Sequence, residues 1–440
     1  MKGNIILLLS FVVLQAQAQI IKDTAAQKNW NLHIQATVIP QYHFNFTAKY
    51  TGNNSLQTSE GTKVSFTNTY YIGRRLWRNA AFYFNPEIAG GEGLSQATGI
   101  AGFSNGETFR IGTSELKLYV ARAYLEQKFP LSDVKETIED DKNQLRAQAA
   151  TSYIAVRAGK FSVADFFDDN SYSHDPRTDF MNWSLMSAGA WDYPANTRGY
   201  TNGLVVEFKK PLWAIRTALI QVPEFANGQT LDTKIDKAFG TVLEGEKQFH
   251  IQSSEKLIVR LGGFYNKARM GNYDEAIKQG MIQLTAPDVV ATRKYSRGKT
   301  GFYINIEDQH EAGGGFFRYS YNDGKNETWA FTEIDRGLSI GFVLNGLVWH
   351  RDNDKLGLAY SANGISAPHR NYLKNGGYGF IIGDGDLNYG KENIIELFYS
   401  FNITKLHLFI SPDYQYIVHP AYNKDRGPVH VVALRMHFEL

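Results

Sequence analysis

The chain has 440 residues, no cysteine, and 46 Lys+Arg against 44 Asp+Glu. The missing cysteine excludes disulfide frameworks, Cys-ligated zinc or iron–sulfur sites and thiol nucleophiles. The balanced charge excludes a duplex-binding surface, which needs a basic excess to displace counterions, so no nucleic-acid partner is expected. With 14% aromatic residues and a mean hydropathy of only −0.34, apolar side chains are spread thinly instead of being massed into one core.

In chain order, Met1-Lys2, the apolar run Ile5 to Leu14 and Ala16-Gln17-Ala18 have the three parts of a secretory signal. The run is too short to cross roughly 30 Å of hydrocarbon as a helix. Residues 1–18 are therefore expected to be a signal peptide cut after Ala18, followed by a short segment 19–30 and one domain over 31–440. Residues 31–46 then alternate: Leu32, Ile34, Ala36, Val38, Tyr42, Phe44 and Phe46 are apolar and the odd positions are polar apart from Ile39. Such a strand turns one face to an oily phase and the other to water. Similar runs follow near 64–76, 80–88, 114–128, 151–161, 198–209, 212–221, 238–252 and 255–267, and then near 299–308, 314–322, 335–347, 355–362, 391–401 and 405–418. The chain ends in the same pattern, with Val432, Leu434, Met436, Phe438 and Leu440 on one face and Ala433, Arg435, His437 and Glu439 on the other. That makes sixteen strands, an even number, as bacterial outer-membrane barrels have.

The connections alternate in length. Lys209-Lys210-Pro211, Ser253-Ser254 and Asn402-Ile403-Thr404 are short, whereas 47–63, 89–113, 162–197, 268–298 and 363–390 are long and rich in Gly, Asn and Asp. Short periplasmic turns and long external loops are the build of an outer-membrane barrel. The charged 129–150 segment departs from this on the short-turn side and is expected to be a periplasmic excursion with room for a short helix. A propeller would show a self-similar repeat of 40–50 residues, and none is visible. A soluble sandwich would not crowd aromatics at strand ends, as Tyr70-Tyr71, Tyr319 with Tyr321, Phe398 to Phe401 and Tyr414 with Tyr416 do. The expected fold is all-β: a transmembrane barrel of about 16 antiparallel strands, set in the lipid of the outer membrane of a Gram-negative bacterium.

Three stretches carry more than a pattern. Gly159 to Asp168 (GKFSVADFFD), Asp175 to Trp183 (DPRTDFMNW) and Trp191 to Tyr200 (WDYPANTRGY) resemble the carbohydrate-selective porin family of the OprB type. Tyr83-Phe84-Asn85-Pro86-Glu87, the Gly99 to Gly106 segment and Gly383-Asp384-Gly385 through Leu387-Asn388-Tyr389-Gly390 to Glu396 extend the likeness over nearly the whole chain. The resemblance implies a sixteen-stranded barrel, without a cofactor, that lets mono- or oligosaccharides diffuse into the periplasm past an inward-folded loop. By analogy with many sixteen-stranded porins it also suggests a homotrimer. The chain departs from the pattern in ending on Leu440 where such barrels commonly end in Phe, and in the intrusion of Asp386.

The strand count makes 162–197 the third external loop. It gathers Asp165, Asp168, Asp169, Asp175, Asp179 and Asp192, the aromatics Phe166, Phe167, Trp183 and Trp191, and Arg177. A solvated loop tip would not spend so many aromatics, so the loop is expected to fold into the pore and set its constriction. Hexose hydroxyls need charged or amide partners, and their C–H faces rest on rings. Alternation parity points Glu87, Arg122, Glu126 and Arg157 inward to complete the site, since their neighbours Ile88, Ala121, Leu125, Val156 and Ala158 suit lipid. A plainer reading pairs Arg122 with Glu126 and Arg157 with Asp168 as bridges that only hold the loop down. A general or ion-selective diffusion pore is the alternative function.

Two other patterns fail their tests. Asp384-Gly385-Asp386 opens like a calcium loop, but Tyr389 stands where glycine belongs and Ile395 where a bidentate Glu belongs, so no metal is expected. Ser171, His174 and Asp175 lack the nucleophile elbow of a hydrolase, and no enzyme is expected.

Overall fold

The structure is a computed structural model that describes residues 27–108, 114–251 and 255–440. The expected signal segment 1–18 and the Ser253-Ser254 turn lie outside the described residues. The first strands are β1 (Trp30–His43), β2 (Lys63–Trp77), β3 (Ala80–Gly91) and β4 (Lys117–Pro130), followed by the short β5 (Lys135–Ile138) and β6 (Ala147–Ala150). Next come β7 (Tyr153–Phe161), β8 (Thr201–Lys210), β9 (Trp213–Ile220), β10 (Phe239–His250), β11 (Lys256–Ala268) and β12 (Arg297–His310). The series closes with β13 (Gly313–Asn322), β14 (Arg336–Asn345), β15 (Lys355–Gly364), β16 (Glu392–Ile403), β17 (Leu408–Val418) and β18 (Val429–Glu439).

All but β5 and β6 form one closed ring of 16 antiparallel strands in chain order, with β18 returning to β1. Each lies within about three residues of its expected place, because alternation marks a strand wherever one face is oily and the other wet. Side-chain exposure runs opposite to that of a soluble protein. Leu243, Leu261 and Ile340 are 51–58% exposed on the outside, while Glu244, Glu307 and Arg318 on the inside are at most 1% exposed. The bare outer girdle suits hydrocarbon, and the charged interior suits a wet lumen.

Two local departures bear on the site. The β3–β4 register shifts between Asn85 and Pro86, so that Asn85 pairs with Arg122 and Pro86 with Val120. Pro86 has no N–H for the ladder, and the extra residue Ala121 bulges out of register. Ala121, expected against lipid, is buried; the bulge restores parity so that both Tyr119 and Arg122 face the lumen. The second departure is the 131–152 connection, where β5 and β6 pair as an antiparallel hairpin and not as a helix. Lys135-Glu136-Thr137-Ile138 offers no apolar stripe for a helix to bury, whereas two extended segments satisfy each other's backbones.

A ladder of ion pairs runs along one inner wall. Lys128 and Arg157 share Glu126, Arg157 also meets Glu207 at 3.0 Å, and Glu207 passes to Arg216 at 2.9 Å. Arg216 reaches Glu244 and Glu246, Glu246 meets Arg260, and Arg260 ends the series on Glu307, these four contacts all being 3.0 Å. The ladder crosses every strand from β4 through β12 in the ring. Removing its centre, Arg216→Ala, leaves Glu244 with no cationic partner and takes one of two from Glu207 and Glu246, and should lower barrel stability by about 3 kcal/mol. A matching fall in the denaturant midpoint of the detergent-solubilised barrel is the expected result.

Candidate functional site

The site is built where the second and third external loops meet the β2–β4 wall. Glu87 on β3 accepts hydrogen bonds from Thr69 (2.5 Å), from the Tyr119 hydroxyl and from Tyr200 (3.3 Å), and pairs with Arg177 at 3.2 Å. Arg177, at the tip of the third loop, also reaches Glu107 of the second loop at 2.9 Å and Tyr71 at 3.4 Å. Arg122 grips Asp165 with a two-pronged contact of 2.7 and 2.5 Å. Its remaining Nη1 has no hydrogen-bond partner among the described residues. Around these charges stand rings: Trp183 stacks on Phe331 (6.0 Å between centroids), Phe331 lies 4.4 Å from Tyr193, and the Arg198 guanidinium sits 4.1 Å over Tyr119. Together they line a cavity of about 240 Å³.

The third loop touches walls on several sides of the ring. Asp168 is held by Arg318 of β13 (3.0 Å) and Asn305 of β12 (2.7 Å), and its N–H donates to Glu244 of β10. The Met181 and Asn182 N–H groups donate to Glu396 of β16, and Arg435 of β18 donates to the carbonyls of Pro176, Thr178 and Asp179. The second loop crosses too: Ala101 and Gly102 donate to Glu392, and Gly106 donates to the Met181 carbonyl.

The sequence-derived residues divide accordingly. Glu87, Arg122, Asp165, Arg177 and Trp183 line the cavity. Glu126 and Arg157 are inward as expected but belong to the ladder. The pairings Arg122–Glu126 and Arg157–Asp168 do not form. Arg122 takes Asp165, and Arg157 takes Glu126, its direct cross-strand neighbour. Asp168 and Trp191, expected at the constriction, are buried and do not line the cavity: Asp168 anchors the loop, and Trp191 packs among Phe167, Tyr193 and Tyr303. Asp169 faces Arg260 at 3.7 Å, and Asp179 faces Lys355 at 3.7 Å, both away from the cavity lining. Glu107, Tyr119, Arg198, Tyr200 and Phe331 are cavity residues that the sequence reading left out. Tyr119 could have been found once Pro86 was read as the cause of a bulge; Phe331 comes from the β13–β14 loop and carries no such signal. Elsewhere, Ser171 donates its hydroxyl to Glu307, and Asp384 is engaged by Tyr50 and Asn423. Among the described residues no cluster of His, Asp or Glu is placed to hold a metal.

A closed sixteen-stranded ring with an apolar exterior, a charged interior and loops crossing the lumen is an outer-membrane diffusion channel, a porin. The sequence model of the carbohydrate-selective porin, OprB family matches residues 53–440, and the chain belongs to that family. It is thus a carbohydrate-selective porin of a Gram-negative outer membrane. The high-pH structure of Pseudomonas putida OprB is similar over 94% of both chains, with 15% identity and a TM-score of 0.68. The low-pH structure of the same protein aligns over 94% of this chain and 93% of that one, with 12% identity and a TM-score of 0.47. OmpT of Vibrio cholerae aligns over 96% of this chain and 100% of its own, with 10% identity and a TM-score of 0.49. No curated protein matches the sequence.

The two loop carboxyls beside Arg177 respond to pH differently. Burial pushes Glu107 above the usual carboxylate range and outweighs Arg177. Burial acts the same way on Asp175, but Arg177 and Lys142 outweigh it and hold that carboxyl well below the range. On acidification Glu107 therefore takes up its proton first, losing its bond to Arg177 and its burial penalty together, while Asp175 keeps its charge until the pH falls through its depressed value. Sugar block of conductance should change in mildly acid solution in the native protein and stay flat in Glu107→Gln; titration in planar bilayers checks this.

Proposed function

We propose that a sugar crosses the barrel between the third loop and the β2–β4 wall, in contact with Arg122, Arg177, Glu87 and Asp165. The guanidiniums donate to hydroxyl oxygens and the carboxylates accept from hydroxyl hydrogens, so one hydroxyl array meets both. The rings of Trp183, Phe331 and Tyr193 give its C–H face an apolar rest. The observation that carries this reading is Arg122: two of its nitrogens are fixed on Asp165, and Nη1 has no partner among the described residues. A cavity of about 240 Å³ bounded by paired charges suits one small neutral solute. Because every charge here already has a protein partner, a sugar exchanges hydrogen bonds with the site and gains little net energy. That matches a conducting site, which must release what it admits. In this reading Glu126, Arg157, Asp168, Asp169, Asp179 and Trp191 hold the wall and the loop, and the outer girdle meets lipid.

Charged hydrogen bonds contribute about 1.5–3 kcal/mol each, so Arg122→Ala or Arg177→Ala should weaken sugar block of single-channel current about tenfold or more. Trp183→Ala should weaken it by less and should slow sugar uptake in liposome swelling. Block that survives all three changes overturns the placement of the site. A steep reversal potential in a salt gradient, with no response to sugar, would instead mark an ion-selective pore.

A further inference from the structure

On the periplasmic side most connections are minimal: Arg78-Asn79 joins β2 to β3, Pro211-Leu212 joins β8 to β9, and Glu311-Ala312 joins β12 to β13. The 131–152 connection is the exception, and it does not project away from the barrel. Its tip, residues 139–146, turns back into the mouth. Asn143 accepts a hydrogen bond of 2.9 Å from Asn85, which is fully buried on β3, two residues below Glu87 and on the same face. Lys142 meets Glu439 of β18 at 3.0 Å. Asn31 of β1 donates to Asp140, Asp141 and Gln144 at 2.9–3.2 Å, and Leu145 is buried. Three wall strands therefore hold the tip inside the ring.

The tip lies beneath the loop constriction. Burial would lower the Lys142 ammonium, but Glu439 and Asp175 outweigh it and keep the group charged, which places Lys142 within electrostatic reach of the third-loop tip. Arg177, two residues further along that tip, lines the upper cavity and also a second cavity beneath it, bounded by Thr178, Lys355 and the β14–β15 turn. A solute leaving Arg177 for the periplasm descends past these two features, the hairpin tip on one side and that turn on the other.

We propose that the hairpin tip, Lys142-Asn143, is a second filter, the lower lip of the channel, which sets a size limit on sugars after they have left the upper site. The inference rests on the tip's place in the lumen and stands whichever side chains bind solute above it.

Two measurements on the full-length porin in liposomes and bilayers test it. In the double variant Lys142→Ala/Asn143→Ala, swelling with a series of neutral saccharides should admit larger members several-fold faster, while block of current by a hexose at the upper site stays within twofold of native. In Lys142→Trp, which fills the lip, permeation of even the smallest sugar should slow several-fold. Heat-modifiable electrophoretic mobility reports folding of each variant. A size limit and a permeation rate unchanged in both folded variants would overturn the proposal and leave the tip as a brace for the β1–β18 junction. A change in hexose block with an unchanged size limit would overturn it as well.

Discussion

Everything in this molecule depends on the pairing of its last strand with its first. From Gln35↔Glu439 to His43↔Val431, β1 and β18 exchange backbone hydrogen bonds that no other partner could supply within hydrocarbon. An unpaired N–H or C=O there costs several kcal/mol, so a sheet open at this one junction would carry two such edges across the membrane. Closure removes both edges. It also inverts the usual relation between burial and polarity: apolar side chains go outward to lipid, and the enclosed space becomes the place for charge. A side-chain contact reinforces the junction, Thr37 with His437 at 2.9 Å.

A lumen lined by carboxylates can then hold irregular chain. A loop that enters a barrel brings backbone N–H groups with no ladder to join, and each needs an acceptor. Here carboxylates supply it repeatedly. Glu392 takes Ala101, Gly102 and Ala421; Glu396 takes Met181 and Asn182; Asp192 takes Trp329, Ala330 and Phe331. Hydrogen bonds to an ionised acceptor are stronger than neutral ones, which suits them to fixing loops against a wet wall. The acids that crowd this neutral chain are thus largely structural, and only a few are left at the cavity.

The sequence revealed the strands and the side of each strand that faces lipid, because both follow from a period of two. It did not reveal who pairs with whom across the lumen. Arg122 and Glu126 look like partners in the linear chain, but four residues along a strand span about 13 Å, whereas cross-strand neighbours lie about 5 Å apart. Arg157 accordingly binds Glu126 on the adjoining strand, and Arg122 turns to Asp165. The acidic, aromatic composition of 162–197 was readable as that of a loop in contact with the wall, but not which acids would anchor it: Asp168 and Asp165 are three residues apart and meet opposite sides of the lumen. The entry of the second loop and the hairpin tip depend on ring geometry that no local pattern records.

The ion-pair ladder has a further consequence, for how this wall can change over generations. Because Arg216 is shared by Glu207, Glu244 and Glu246, and Arg260 by Glu246 and Glu307, loss of Arg216 leaves Glu244 without a cation and loss of Arg260 leaves Glu307 without one. Such a wall resists single substitutions and accepts compensated ones, in which an acid and its base are exchanged or neutralised together. Inherited variation from β4 to β12 should therefore come in matched pairs one strand apart, while the lipid-facing positions between them drift freely among apolar residues.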